Sequence, residues 1–253
     1  CAAPHGFIVA AGPTGSGKTT TLYAALAERD AGRENLCSVE DPVELRIPGV
    51  SQTPIHPRAG VTFASALRAF LRQDPNVIMV GEMRDAETAS VAAAASLSGQ
   101  LVLTTLHSNN AAGAIDRLVE LGVSRRTIAA GLSAVVAQRL VRRLCACCRE
   151  AHRATASIAA DFGIPADAQI FRANGCSKCN FTGYWGRSAI FEILVIEDDI
   201  RIAIASGTSG VGIDRLARGH AFRPMREHAL TRLRAGETSC DELKRVLIVE
   251  PAA

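Results

Sequence analysis

The chain has 253 residues, 48% of them hydrophobic, enough to bury a sizeable core in one large domain or two smaller ones. Its formal net charge is only +3, with acids and bases interspersed, which argues against a broad nucleic-acid-binding face. No run reaches the ~18 consecutive apolar residues of a membrane-spanning helix, and the first residues lack the basic-then-apolar pattern of a signal peptide. With no initiating Met and a first motif already at Gly12, the sequence reads as a piece of a longer protein.

Four short apolar, β-branched runs alternate with helical segments: Phe7–Ala11, Leu36–Val39, Val77–Val80 and Leu101–Leu106. Runs of this length between helices predict an α/β fold with a mostly parallel sheet buried on both faces. In chain order, the first run leads through a glycine-rich loop into a helix over Thr19–Arg29. Thr62 is placed to cap a helix that closes before Pro75, Asp85 one that ends near Gly99, and Asn109 or Asn110 one that ends at Gly122. Ser124 is placed to open a long amphipathic helix reaching about Leu144. The alanine-rich stretches Ser90–Leu97 and Ile128–Ala137 read as buried helices. After Leu144 the texture changes, because most of the cysteines and aromatics lie between 145 and 191, and from Asp198 onward the pattern is one of short helices with polar joints. The expected division is a sheet domain over 1–140, a cysteine-bearing subdomain over 141–191 and a helical C-terminal subdomain over 192–253.

Parallel sheets bind ligands outside the carboxyl ends of their strands. The first run is followed there by Gly12-Pro13-Thr14-Gly15-Ser16-Gly17-Lys18-Thr19, which fits G-x-x-x-x-G-K-[ST]. The glycines let backbone N–H groups turn inward around phosphate oxygens, and the following helix aims its positive end at them. Lys18, one of only three lysines among the 28 basic residues, would reach the β- and γ-phosphates, and Thr19 would hold Mg²⁺. The second run is followed by Glu40-Asp41-Pro42, the third by Gly81-Glu82-Met83-Arg84, and the fourth by His107. Glu82 stands where a P-loop ATPase keeps an acid for Mg²⁺ or its water, and Glu40 is a candidate general base. His107 is a candidate sensor of the γ-phosphate. Arg68, Arg72 and Arg84 are candidates to stabilise charge on a transferring phosphoryl group.

Cys145-x-x-Cys148 and Cys176-x-x-Cys179 are two knuckles that together make a closed tetrahedral Zn²⁺ site. In "RRLCACCRE" the two-residue spacing of the partner knuckle selects Cys145 and Cys148 and leaves Cys147 spare. Cys1, Cys37 and Cys240 read as buried or incidental thiols.

Together these motifs resemble the hexameric ATPases of type II secretion and type IV pilus assembly over nearly the whole chain. "GPTGSGKTTTLYAAL" looks like that family's Walker A segment, "VEDPVE" (39–44) its aspartate box, "LRAFLRQDPNVIMVGEMRD" (67–85) its Walker B region and "LVLTTLHSNNAAGAIDRL" (101–118) its histidine box. "AQRLVRRLCACC" and "GCSKCNFTGYWGRSAIFEIL" resemble its zinc segment. The resemblance implies a RecA-like core with a tetracysteine zinc subdomain and a helical tail. By position it makes Gly12 through Thr20 the nucleotide loop, with Lys18 and Thr19 on ATP·Mg²⁺. Glu40 becomes the general base, Glu82 the Walker B acid and His107 a neighbour of the γ-phosphate. It further implies a homo-hexamer held beside the inner membrane, on its cytoplasmic side, by a platform protein and anchor proteins, with no nucleic-acid partner. Asn76 stands where the family usually has Asp and Gln100 where it has His, and an upstream domain that supplies arginines across the subunit interface is absent from this sequence.

Two other readings predict different behaviour. A nucleoside-phosphate kinase with a zinc lid needs a second nucleotide pocket lined by arginines. A zinc-ribbon nucleic-acid-binding NTPase needs basic and aromatic residues between its knuckles, where Ala151–Ala160 is mostly small and apolar.

Overall fold

The computed structural model describes residues 3–247; Cys1 lies outside them. In chain order the elements are β1 (Gly6–Ala11), α1 (Lys18–Ala27), β2 (Leu36–Glu40), β3 (Val50–Pro54), α2 (Phe63–Phe70), β4 (Val77–Val80), α3 (Ala86–Leu97), β5 (Leu101–Leu106), α4 (Ala111–Glu120) and α5 (Arg125–Gly131). There follow β6 (Leu132–Leu144), β7 (Glu150–Arg153), α6 (Ala156–Phe162), β8 (Gln169–Arg172), β9 (Tyr184–Val195), α7 (Asp198–Ala205), α8 (Gly210–Ala217), α9 (Met225–Arg234) and α10 (Cys240–Val246). The large sheet has the order β3-β2-β4-β5-β1-β6-β9. The pairings of β2 with β3 and β4, of β4 with β5, and of β1 with β5 and β6 are all parallel. The α/β architecture and its four predicted strands stand as read. Among the described residues, no helix is long and apolar enough to cross a membrane.

The helix starts follow from side-chain caps. Thr62 and Ser65 form a reciprocal box at α2, while Asp85, Asn110 and Ser124 accept from the amides of Thr88, Gly113 and Thr127. Each cap satisfies an otherwise orphaned amide and is worth about 1 kcal/mol.

One predicted element is corrected. The helix opened by Ser124 ends at Gly131, and Leu132–Leu144 is a strand. The apolar residues Leu132, Val135, Val141 and Leu144 recur at multiples of three, which mimics a helical stripe. Pairing with β1 overrides that pattern: Phe7 lies opposite Leu132, and a register shift then brings Ile8 opposite Ala134 and Ala11 opposite Ala137. The β-branched pair Val135-Val136 suits the pleated, buried setting. Ile128–Ala137 is therefore part helix and part strand, and "RRLCACCRE" opens in the last three residues of a strand rather than at the end of a helix.

Where three consecutive domains were expected, the described chain forms two compact units, one of 3–138 with 192–222 and one of 139–191 with 223–247. In the first unit, Leu22, Tyr23 and Leu26 of α1 pack on Leu36, Val77, Met79, Leu101 and Leu103 of the sheet. The helices after β9 are stitched to this unit by polar contacts. Arg201 donates to the carbonyls of Ala129 and Ile196, Arg125 donates to that of Thr208 at 3.1 Å, and the Gly210 amide donates to Asp116 at 3.2 Å.

In the second unit, β7 and β8 form an antiparallel pair. The anchor of this unit is Glu242, 0% exposed, on α10. Its carboxylate accepts from the Arg142 amide at 2.9 Å, from Arg142 Nε at 2.8 Å and from Arg245 Nε at 2.9 Å. Arg142 also stacks over Tyr184, 4.0 Å from the ring centre, and the Tyr184 hydroxyl meets Ser239 Oγ at 2.7 Å. Burial alone would raise the Glu242 carboxyl, but the Arg245 and Arg142 guanidiniums hold it down to about 2. A depressed carboxyl stabilises the fold above its unfolded value, and that contribution is lost as the pH falls from about 4 towards the folded value. Glu242→Ala should cost about 3 kcal/mol in urea unfolding at pH 7, the low end for a broken buried pair because both arginines can turn to water. The gap between wild type and variant should close between about pH 4 and about pH 2.

Candidate functional site

Because the central strands are parallel, the residues that follow them emerge along one edge. β1 runs into the loop Gly12–Gly17, and α1 begins at Lys18. A β-carbon at Gly12 would lie 2.5 Å from the Gln138 carbonyl oxygen and 2.6 Å from Ser16 Oγ, and its φ of +152° suits glycine, so the loop closes this tightly only with glycine there. The Lys18 ammonium donates to the carbonyls of Gly12 and Pro13, each at 2.9 Å. Burial lowers the Lys18 pKa, and the nearby charge of Glu82 partly offsets that.

The loop is braced from β6. Gln138, 1% exposed, donates to the Ser16 carbonyl at 2.8 Å and accepts from the Thr21 hydroxyl at 2.8 Å. Sequence reasoning passed over Gln138 because it placed this segment on a helix leaving the core; as part of a strand beside β1 it faces the loop directly.

Glu82, Arg84 and His107 come together beyond β4 and β5. The Arg84 guanidinium bonds Glu82 and stands 3.7 Å from Asp41, and His107 Nε2 is 3.8 Å from the other Glu82 oxygen. The hydrogen bond to Glu82 is the main reason the Arg84 pKa is raised. Asp41 was not singled out from the sequence, although it directly follows Glu40. Arg68 instead pairs with Glu87 at 2.8 Å on an exposed face, and Arg72 is exposed. Asn76 is structural, accepting from the Asn35 amide at 2.7 Å, and Gln100 sits at the amino end of β5, opposite His107.

Glu40, at the end of β2, is only 2% exposed. Three neutral donors surround it: the Tyr23 hydroxyl on Oε2, and the Ser38 hydroxyl and Gln52 Nε2 on Oε1, the last at 3.0 Å. Burial, and then the bond to Glu40, raise the Tyr23 pKa.

The second cluster lies in the other unit. The sulfurs of Cys145, Cys148, Cys176 and Cys179 all lie within 4.8 Å of one another. Cys145–Cys176 is 3.9 Å, Cys148–Cys179 is 3.8 Å and Cys176–Cys179 is 3.8 Å. A disulfide needs about 2.05 Å, whereas four sulfurs at about 2.3 Å from a tetrahedral Zn²⁺ are separated by about 3.8 Å. The donor set and spacing thus fit a closed zinc site, and Cys147 is exposed and outside it. Amides of Gly175, Cys176 and Gly183 point at sulfurs at 3.2–3.3 Å. Within this cluster the thiols shift in opposite directions: against burial, the amides of Cys176 and Gly183 hold Cys179 down to about 6, whereas burial and the neighbouring thiols push Cys148 up to about 12. Glu197, Asp199 and His220 form another group. There the ring nitrogens of His220 face Glu197 at 2.9 Å and Asp199 at 2.6 Å on opposite sides, the geometry of an ion-pair clip between two carboxylates.

The chain resembles known proteins over nearly its whole length. Residues 1–245 match the family model described as type II/IV secretion system protein. The chain is 49% identical over 243 residues to type II secretion system protein HxcR of Pseudomonas aeruginosa, covering 96% of this chain and 49% of that protein. It is 45% identical over 244 residues to the type IV pilus assembly ATPase PilB of Thermus thermophilus, covering 95% and 27%. The crystal structure of the ATPase DotB of Legionella pneumophila superposes with a TM-score of 0.70 at 25% identity, covering 97% of this chain and 60% of that one. The chain spans about half the length of the type II secretion relatives it matches. Elemental analysis of the purified protein should find about one zinc per chain, with the content falling sharply in Cys176→Ser and unchanged in Cys147→Ser; loss of zinc from the latter would overturn the ligand assignment.

Proposed function

The chain belongs to the type II/IV secretion system protein family, and from that premise we propose that it is the ATP-hydrolysing motor region of a machine that assembles a pilus or pseudopilus. The observation that carries the reading is the convergence of the Gly12–Thr20 loop, Glu40, Glu82 and His107 on the carboxyl edge of one parallel sheet. The amides of Gly15, Ser16, Gly17 and Lys18 at the start of α1 suit the phosphates, and the Lys18 ammonium would exchange its two carbonyl acceptors for β- and γ-oxygens. Thr19 and Glu82 would hold Mg²⁺, whose charge neutralises the phosphates when it is bound with ATP. Glu40 takes a proton from the attacking water, His107 contacts the γ-phosphate, and Arg84 adds positive charge as the phosphoryl group transfers.

The four cysteines would hold Zn²⁺ as a structural clip, since a closed thiolate site leaves no position for chemistry. We assign the protein to a homo-oligomer, a hexameric ring, on the cytoplasmic side of the inner membrane. There it is held by a platform protein and anchor proteins, with hydrolysis changing how subunits pack. Relatives named as pilus assembly and secretion ATPases support that assignment.

The test is turnover of ATP without any acceptor nucleotide. Lys18→Ala should lower kcat on the order of 10²-fold or more, as loss of a charge-stabilising donor does. Wild-type turnover in that variant, or strict dependence on a nucleoside monophosphate, would sink the motor reading.

A further inference from the structure

The donors around Glu40 are not equivalent. An ionised carboxylate offers about four acceptor positions, two on each oxygen. On Oε1 both are filled, by Ser38 and by Gln52. On Oε2 the Tyr23 hydroxyl fills one. The oxygen able to receive a proton from water is therefore the one that Tyr23 shares.

Tyr23 is itself fixed. Its ring is buried with Leu22 and Leu26 in the core cluster. Its hydroxyl oxygen accepts from the amides of Glu44 at 3.2 Å and Leu45 at 3.4 Å, which leaves its one proton for Glu40. Gln52 completes the frame, bonding the Leu45 carbonyl at 2.9 Å and the Ile47 amide at 2.7 Å, so the segment after Glu40 is tied to α1 and to β3. Tyr23 also lies on the helix that starts at Lys18, so the element presented to the phosphates is the one that orients the carboxylate.

We infer that Tyr23 is a positioning residue for hydrolysis, aiming Oε2 of Glu40 at the attacking water. The inference rests on the proposed role of Glu40 as base. In that step a water O–H bond breaks and its proton goes to Oε2; the oxygen's electron pair forms the bond to the γ-phosphorus, while the bond from that phosphorus to the β,γ-bridging oxygen breaks and its electron pair leaves with ADP. Tyr23 keeps its own proton throughout.

The experiment is steady-state ATP turnover and nucleotide binding in the complete protein. Tyr23→Phe removes one oxygen and keeps the buried ring. It should lower kcat about tenfold while KM and the nucleotide Kd stay within about twofold, the pattern of an interaction used only in the transition state. Ser38→Ala, which removes a donor from Oε1 instead, should lower kcat by less than about threefold and keeps the test alive if Tyr23→Phe does not fold. In a Glu40→Gln background, Tyr23→Phe should add no further loss, because residues acting through one group are not additive. Unchanged kcat in Tyr23→Phe, a matching rise in KM, equal losses from Tyr23→Phe and Ser38→Ala, or an additive loss on Glu40→Gln would each overturn the inference. Wild-type turnover in Glu40→Gln is a separate failure, which removes the base assignment beneath it.

Discussion

The placement of β1 between β5 and β6, parallel to both, is the constraint on which the glycine-loop end of the sheet depends. Parallel neighbours end together, so one register brings the glycine loop, His107 and Gln138 to the same edge, and the pairings of β4 with β5 and β2 bring Glu82 and Glu40 beside them. Parallel strands also require crossover connections. The crossover after β1 is α1, whose first turn faces the loop, so a single strand–loop–helix unit supplies both the anion-binding amides and the buried packing face.

The same edge holds two kinds of polar residue. Lys18, Glu40 and Gln138 are buried, and their orientation is set by specific partners. Arg84 and His107 are largely exposed around Glu82. A buried group held by several hydrogen bonds is fixed in orientation, whereas an exposed one is free to turn. The edge thus combines fixed, buried polar groups with exposed, turnable ones.

Much of this was legible in the sequence. The glycine loop, the strand-end residues and the C-x-x-C pairs are local patterns whose spacing reflects their chemistry, and the four strands that carry the first two sets are mostly apolar because both their faces are covered. What escaped was set by partners distant in sequence. β6 reads as a helix because its apolar spacing is near three, and its place in the sheet beside β1 decides otherwise. β3, with the sequence Val-Ser-Gln-Thr-Pro, is a partly exposed edge strand too polar to announce itself. Gln52 and Gln138 are missed for the same reason, since a lone glutamine has no signature until its strand is placed. Tyr23 and Ser38 look like ordinary core and strand residues until Glu40 is seen between them. The split of 192–253 between two units likewise depends on packing that no local pattern encodes.

The cysteine cluster shows the complementary case, in which short-range geometry suffices. Its amide-to-sulfur bonds come from the loop 175–183, whose backbone folds back on itself: the Phe181 amide donates to the Cys176 carbonyl at 2.9 Å and the Thr182 amide to that of Cys179 at 3.1 Å. A β-carbon at Gly183 would stand 2.5 Å from Ala173 Cβ, so the residue whose amide faces Cys179 has to be glycine for the chain to pass there. Amides aimed at a sulfur favour thiolate over thiol, and the knuckle therefore carries its own electrostatic bias towards binding a cation. Burial pushes the thiols of Cys37 and Cys240 up as well, the latter to about 11. The four knuckle cysteines thus stand close enough to share one cation, with backbone amides aimed at Cys148 and Cys179, whereas Cys37 and Cys240 are buried apart from that cluster as small apolar groups.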